Sequence, residues 1–572
     1  MKFIELKKLA KQDASSFPKL RYVLLGDCAT QLLAMALRGA AYAASYDLEL
    51  LDTDYDQIRA QITDPSSELY AHDPEGVIIV MCTERLYEAF HDTPLSERES
   101  FAENKLSEMV SYWDRLHDAG GIRILQYNFP ELDDGLYGNL SSQVKSSFLY
   151  QQRLLNLMLA DQAASHPGVF LIDIASIQGR IGRSALHDER LYASAKLSFM
   201  PDALGFIAEK TIAMIRALKG SVKKCVVLDL DNTLWGGVVG DDGLEGIHIG
   251  ELGSGHAFYE FQRWLKELKN RGILLCVCSK NDEDKAKEPF EKHPEMVLRT
   301  EDIALFVANW EDKASNIRHI SELLNLGLDS FVFIDDNPFE RELVRSMLPE
   351  VTVPDIPEDP AFYVSFLSSL NLFDTASFSA ADADRTGQYR AEAGRRSTQA
   401  QYADYDEYLK SLEMKADCGA FKAFHYPRIA QLSQRSNQFN LRTKRYTEDD
   451  IRRFSESCDY LTLYFCLKDK FGDHGLISAA IMKKDGRNFF IDTWIMSCRV
   501  LKRGMEEYII NRVIAAAKEA GAEYVIGEYL PTPKNSMVAD IYTRMGFTPM
   551  EDRSGCFIIS CDGFAPLKTY IT

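Results

Sequence analysis

Short apolar runs that stop abruptly on a polar residue constrain this chain more than any other feature. Cys225 to Leu228 stops on Asp229, Leu274 to Cys278 on Ser279, and Phe331 to Ile334 on Asp335. These runs carry no apolar–polar alternation, so both faces of each strand must be covered, as in a parallel sheet. The first third behaves alike. Arg21 to Leu25 ends in the turn Gly26-Asp27-Cys28, and Val77 to Met81, Ile122 to Leu125 and Val169 to Ile172 follow, separated by amphipathic stretches such as Thr30 to Ala44. Strands alternating with helices imply an α/β fold. In such folds ligands collect at the carboxyl ends of the strands, which is where the polar residues stand.

The 572 residues correspond to about four domain lengths. The pattern divides them into an α/β domain over 1–220, a second over 221–375, a polar helical linker over 376–415 and a third unit over 416–572. That last unit has strand-like runs at Tyr460 to Leu467, Leu476 to Met482, Phe489 to Ile495 and Tyr524 to Tyr529, and a helix from Arg503 to Glu519. The proline-rich segment Pro349 to Pro360 reads as an exposed connection. A formal charge of −20 argues against a nucleic-acid binder, because phosphate neutralisation needs a basic excess. The 11 cysteines form no C-x-x-C pair and several sit inside apolar runs, as expected of reduced thiols. With no secretory signal pattern and no apolar stretch long enough for a membrane span, the expectation is a cytoplasmic protein with no membrane partner.

Asp229-Leu230-Asp231-Asn232-Thr233 carries the strongest chemical signal. At a strand end that turns into a loop, two carboxylates two residues apart can converge on one phosphate. One can attack phosphorus while the other gives and takes a proton. Such a cluster repels itself unless a cation offsets it, so Mg²⁺ is expected. A lone polar residue at a strand end is ordinarily a solvated loop group. Here, however, Ser279, Lys313 and the pair Asp335-Asp336 follow in order after successive strands. A hydroxyl and an ammonium for phosphoryl oxygens, with further acids for the metal, complete what phosphoryl transfer needs.

These four elements resemble the motifs of the haloacid dehalogenase (HAD) phosphatase superfamily. The resemblance implies a Rossmann-like domain with Asp229 as nucleophile and Asp231 as general acid/base. It implies Thr233, Ser279, Lys280, Lys313 and Asn337 around the phosphate, and Asp229, Asp231, Asp335 and Asp336 around Mg²⁺, with Asp231 also offering its backbone carbonyl. The intervals from Thr233 to Ser279 and from Ser279 to Lys313 are too short to hold a large cap domain, so the site should be open.

Asn437-Gln438-Phe439-Asn440, Phe471-Gly472-Asp473, Ser497-Cys498-Arg499-Val500 and Pro531-Thr532-Pro533-Lys534-Asn535 resemble the FkbH-like proteins, HAD subfamily IIIC. That resemblance implies a GNAT-like α+β third domain and an N-terminal SGNH-like (flavodoxin-like) domain, in which Cys28 stands where SGNH hydrolases carry serine. His187-Asp188 is the nearest later pair, in the wrong order for that family. It further implies transfer of a three-carbon glyceryl unit from a phosphorylated substrate to an acyl carrier protein, as in polyketide biosynthesis, with loss of phosphate. Cys498 is the first candidate for an acyl-enzyme thiol and Cys28 the second. A stand-alone phosphatase on a small phosphometabolite, with a vestigial acyltransferase domain, and a non-catalytic carrier-binding scaffold remain the alternatives. Cations concentrate between Arg428 and Arg453, and this run is the expected docking surface for an acidic carrier.

Overall fold

The structure, a computed structural model, describes residues 1–166, 168–376, 386–387, 404–436, 438–470, 472–497, 500–532, 534–551 and 553–572. The chain forms two compact units, Met1–Arg216 and Ala217–Thr572.

In the first unit the described residues form a five-stranded parallel sheet: β1 (Lys19–Gly26), β2 (Asp47–Asp52), β3 (Gly76–Val80), β4 (Arg123–Tyr127) and β5 (Val169–Ile172), in the order β2-β1-β3-β4-β5. Its principal helices are α1 (Phe3–Leu9), α2 (Gln31–Ala43), α3 (Thr83–Asp92), α4 (Phe101–Asp118) and α5 (Phe148–Ser165). Val23, Leu25, Val77 and Ile79 pack in one core with Phe90, Phe101, Trp113 and Phe148. The strand order reverses between β1 and β3. A crevice at such a reversal is where doubly wound sheets hold ligands.

The second unit opens with a four-stranded parallel sheet of β6 (Cys225–Leu228), β7 (Leu274–Ser279), β8 (Ile303–Ala308) and β9 (Phe331–Ile334), in the order β8-β7-β6-β9. Its flanking helices include α6 (His256–Asn270), α7 (Lys313–Leu324) and α8 (Pro338–Met347). Side chains alternate faces along a strand, which explains why these runs are apolar throughout. Val226 and Leu228 join Phe261 and Leu265 on one face, while Cys225 and Val227 join Ile317, Ile320 and Val344 on the other. The proline-rich connection differs from the expectation of full exposure. Val351 and Ile356 are buried, and Thr352 bridges to Val332, because the segment returns along the edge of β9.

The described C-terminal residues form a seven-stranded sheet. Its strands are β10 (Lys415–Gly419), β11 (Tyr460–Asp469), β12 (Gly472–Asp485), β13 (Asn488–Met496), β14 (Tyr524–Glu528), β15 (Thr548–Pro549) and β16 (Cys556–Ser560), in the order β10-β11-β12-β13-β14-β16-β15. Only the β13–β14 pair is parallel. Helices α9 (Tyr426–Arg435), α10 (Glu448–Glu456) and α11 (Met505–Glu519) accompany it. This sheet and the four-stranded one both lie within the unit Ala217–Thr572. Lys534 pairs with Asp329 between them, and a Cβ on Gly220 would lie 2.1 Å from the Gln434 carbonyl oxygen, too close for any side chain. Most of the expected linker over 376–415 lies outside the described residues. Among the described residues no helix is long and apolar enough to cross a membrane.

Candidate active site

Register alone brings the acidic residues together. Leu228 is the last residue of β6 and pairs with Val277 of β7 and Ile334 of β9. Asp229 follows directly, and its N–H donates to the Ile334 carbonyl at 3.0 Å. Asp335 follows Ile334, so Asp229 and the pair Asp335-Asp336 emerge side by side. One carboxylate oxygen from each of Asp229, Asp335 and Asp336 lies within 4.8 Å of the others.

Lys313 opens α7 and is buried. Its Nζ donates to Asp229 Oδ2 at 2.8 Å and to Asp335 Oδ2 at 2.5 Å. Burial disfavours this ammonium, but Asp229 and Asp335 outweigh burial and hold its pKa above the ordinary lysine value. Burial, with the charge of Asp229 added, pushes Asp335 and Asp336 above the usual carboxylate range. One ammonium thus pairs with two of the three carboxylates, which leaves the group short of positive charge. The deficit and the all-oxygen donor set both fit a hard divalent cation.

Asp231 is held elsewhere. Its Oδ1 accepts from Trp235 Nε1 at 3.0 Å and from the Val239 N–H at 2.9 Å, and its Oδ2 accepts from Asn281 Nδ2 at 3.1 Å. The loop curls back because Asn232 adopts a left-handed φ of 54° and its Oδ1 accepts from the Gly237 N–H at 2.9 Å. The sequence reading expects Asp231 to reach the metal through its backbone carbonyl, and in the structure its carboxylate turns toward these three donors. Burial raises its pKa despite the Val239 and Trp235 hydrogen bonds. A carboxyl disposed to carry a proton, held apart from the metal group, suits proton transfer.

The expected phosphate contacts divide. Ser279 ends β7 beside this group and is 2% exposed. Thr233 is fully buried and braces the acids: its Oγ1 donates to Asp336 Oδ1 and accepts the Asp336 N–H, both at 3.1 Å. Asn337 differs from the expectation. Its side chain caps α8 by accepting the Phe339 N–H at 3.0 Å, while its own N–H donates to Asp335 Oδ1 at 2.8 Å. Lys280 is likewise occupied, at 2.6 Å from Glu340 Oε1. Arg341, absent from the sequence-based set, donates to the carbonyls of Asp335 at 2.9 Å and Asp336 at 2.7 Å and fixes their loop. Trp235, Asn281, Glu340 and Arg341 escape sequence reasoning because each acts on a motif residue from its side. The nearest signal is that Asn281 follows Ser279 by two residues.

The cationic run differs from the expectation of a free docking surface. Arg442 pairs with Asp492 at 2.8 Å and with Glu528 at 2.6 Å, and Lys444 pairs with Asp492 at 2.6 Å. Arg445 donates to the carbonyls of Ser433 and Ser436, and Arg453 pairs with Asp450. Arg442 and Lys444 are thus engaged with Asp492 of β13, and Arg453 with an acid of its own helix α10. Cys498, together with Asn437, Phe471, Arg499 and Pro533 of the quoted motifs, lies outside the described residues. In the first unit Cys28 is 2% exposed and grouped with Asp27 and with Cys82, a residue the sequence does not single out. His187 is buried, its Nδ1 3.0 Å from the Ser198 carbonyl oxygen and 3.2 Å from Glu84 Oε1.

Residues 21–216 match the family model of the FkbH N-terminal domain. Among solved structures, the N-terminal part of the protein BF1531 from Bacteroides fragilis, containing a phosphatase domain complexed with Mg, is 48% identical. That match covers 66% of this chain and 100% of the other, with a TM-score of 0.64. The ribosomal-protein-S18-alanine N-acetyltransferase of Escherichia coli and the GNAT domain of S. lividans PAT each match at 15% identity, over 25% of this chain and 90% of theirs. Their TM-scores, 0.20 and 0.21, are too low to carry an argument. No curated protein matches. Identity of 48% over the whole of the Bacteroides structure shows kinship, and the chain belongs to the family of that phosphatase-domain protein, with an FkbH N-terminal domain over residues 21–216.

Proposed function

We propose that the second unit is a Mg²⁺-dependent phosphatase of the HAD type acting on a small phosphorylated three-carbon substrate. The observation that carries this reading is the group of buried Asp229 and Asp335 and half-buried Asp336, with the Lys313 ammonium on the first two, in a chain 48% identical to a phosphatase-domain protein complexed with Mg. Asp229, Asp335 and Asp336, with the backbone carbonyl of Asp231, would hold the ion. When bound, Mg²⁺ supplies the positive charge this group lacks and offsets charge on the phosphoryl oxygens.

The protein groups then have distinct work. The Asp229 carboxylate attacks phosphorus, and the bond from phosphorus to the leaving oxygen breaks. Asp231 gives that oxygen its proton. Asp231 next takes a proton from water, whose oxygen attacks the aspartyl phosphate, restoring Asp229 and releasing inorganic phosphate. Lys313 and Ser279 bind the phosphoryl oxygens throughout.

The finer proposal couples this step to acyl transfer. An acyl phosphate acylates an enzyme thiol with loss of phosphate, the remaining phosphate ester is cleaved at Asp229, and the glyceryl unit passes to an acyl carrier protein thiol. The FkbH match over residues 21–216 supports it. Cys498 is the first candidate thiol and Cys28 the second. A phosphatase without transfer is the competing reading, and the pairing of Arg442 and Lys444 with Asp492 and Glu528, where a carrier surface was expected, favours it.

Phosphate release by wild type and Asp229→Asn tests the core assignment. Release should fall to background in the variant, and equal rates would overturn the phosphatase reading. Intact-protein mass after incubation with 1,3-bisphosphoglycerate tests the coupled step. An adduct lost in Cys498→Ala supports transfer, and no adduct in wild type leaves a phosphatase alone.

A further inference from the structure

Three buried side chains of the first unit have no part in the phosphatase chemistry. Asp27 and Cys28 follow β1, and Cys82 follows β3. Gly26 pairs with Val80 in the parallel ladder, so Cys28 and Cys82 each stand two residues beyond that pair and emerge next to one another. One ligand atom from each of Asp27, Cys28 and Cys82 lies within 4.8 Å of the other two. Asp27 is 8% exposed and each cysteine 2%.

Asp27 is short of positive charge. Its Oδ1 accepts the Cys82 N–H at 2.8 Å, and no Lys, Arg or His forms an ion pair with it among the described residues. A buried carboxylate is ordinarily paired with a cation or bound to a metal. The two helices that start here add a second argument. Cys82 is the N-cap of α3 and Thr30, two residues after Cys28, is the N-cap of α2, so the positive ends of two helix dipoles lie beside the group and offset the negative charge of ligated thiolates. The third argument is space. A cavity of about 330 Å³, with Asp27, Cys82, Arg85 and Tyr112 on its wall, opens beside the group at the β1/β3 strand-order reversal.

We infer that Asp27, Cys28 and Cys82 form a second metal site, for a soft divalent cation of the zinc class, with its remaining coordination position open to the cavity. Two sulfurs and one carboxylate oxygen suit Zn²⁺ and not Mg²⁺, which takes oxygen ligands in near-octahedral array. On binding, each protonated ligand releases its proton to solvent. Three protein ligands leave a fourth tetrahedral position for water or a small anion from the cavity. The assignment makes Cys28 a ligand instead of an acyl carrier, and it stands whether or not the phosphatase reading holds.

Co²⁺ titration of the full chain tests it. The protein is stripped with chelator, fully reduced, and titrated anaerobically with excess Mg²⁺ present to occupy the all-oxygen site. A thiolate-to-cobalt charge-transfer band should saturate at one equivalent and vanish on adding Zn²⁺. It should be lost in Cys28→Ser and in Cys82→Ser and retained in Cys498→Ser, with circular dichroism checking the fold. Should a cysteine variant fail to fold, Asp27→Asn keeps the side-chain shape, and the band should then persist with weaker Co²⁺ affinity. No band in reduced wild type, or a band surviving both cysteine substitutions, overturns the site. Unchanged affinity in Asp27→Asn removes Asp27 from it.

Discussion

Asp229 and Asp231 are two residues apart and have opposite surroundings. Asp229 faces an ammonium and two further acids, while Asp231 faces three neutral N–H donors. The difference predicts different failures. Asp231→Asn should slow both the transfer to Asp229 and the hydrolysis of the aspartyl phosphate, lowering phosphate release about 10²–10⁴-fold while the fold, checked by circular dichroism, is kept. Lys313→Met removes the one cation from a buried acidic group and should lower metal-free stability by about 3–5 kcal/mol, measured by urea unfolding in chelator. Asp229, Ser279 and Asp335 were legible because each stands where an apolar strand ends, and Lys313 because it follows the first two in the expected order. Their partners were not, because Trp235, Asn281 and Arg341 gain their roles only once the loops fold against one another. A different buried acid gives a pH test. Glu506 in α11 is buried with Oε2 unpartnered, and burial raises its pKa. The folded state therefore holds this proton more tightly than the unfolded one. Glu506 destabilises the fold progressively as pH rises above the ordinary glutamate value. Glu506→Gln should raise the urea midpoint at about pH 8 and leave it little changed at about pH 4. Equal gains at both would assign the effect to packing.

At the scale of elements, legibility followed hydrophobic continuity. β1, β6 and β7 were visible as unbroken apolar runs. β2 was missed because Asp47, Glu49 and Asp52 interrupt its leucines, as suits an edge strand with one partly solvated face. β8, also an edge strand, was missed although Ile303 to Ala308 is apolar, because a short apolar run does not by itself distinguish strand from buried helix. Helix contacts were invisible at sequence level, and Gly39 shows why. It lies inside α2, where glycine is a poor choice for helix propensity, yet a Cβ there would lie 2.1 Å from the Leu6 carbonyl oxygen of α1. Close approach of the two helices explains the residue. Gly39→Ala should lower stability by about 1–3 kcal/mol by forcing them apart. Gly179, in the helix Ile174–Ile181, has nothing within 4 Å of a built Cβ. Gly179→Ala should raise stability by about 0.5–1 kcal/mol through helix propensity alone. Thermal unfolding of the pair separates packing from propensity, and a gain for both would show that α1 does not constrain Gly39.

For the whole molecule, the charge of −20 is distributed with purpose only in part. Asp229, Asp335 and Asp336 concentrate negative charge around one proposed ion, whereas the cationic run is matched locally by Asp492, Glu528 and Asp450. Reversing Arg442 would therefore disturb folding before it reported on any carrier. Mg²⁺ offers a cleaner probe, because its proposed ligands all belong to the unit Ala217–Thr572. A ligand that binds only the folded state stabilises it by RT ln(1 + [L]/Kd), about 2.7 kcal/mol when the ion is present at about 100 times its Kd. The gain should therefore fall on the second unit. Hydrogen exchange with Mg²⁺ and with chelator should show added protection in the loops after β6 and β9, and little change in peptides from Met1–Arg216. Asp335→Asn should abolish the Mg²⁺-dependent protection in the second unit. Protection confined to the first unit, or surviving that substitution, would move the ion away from Asp229, Asp335 and Asp336.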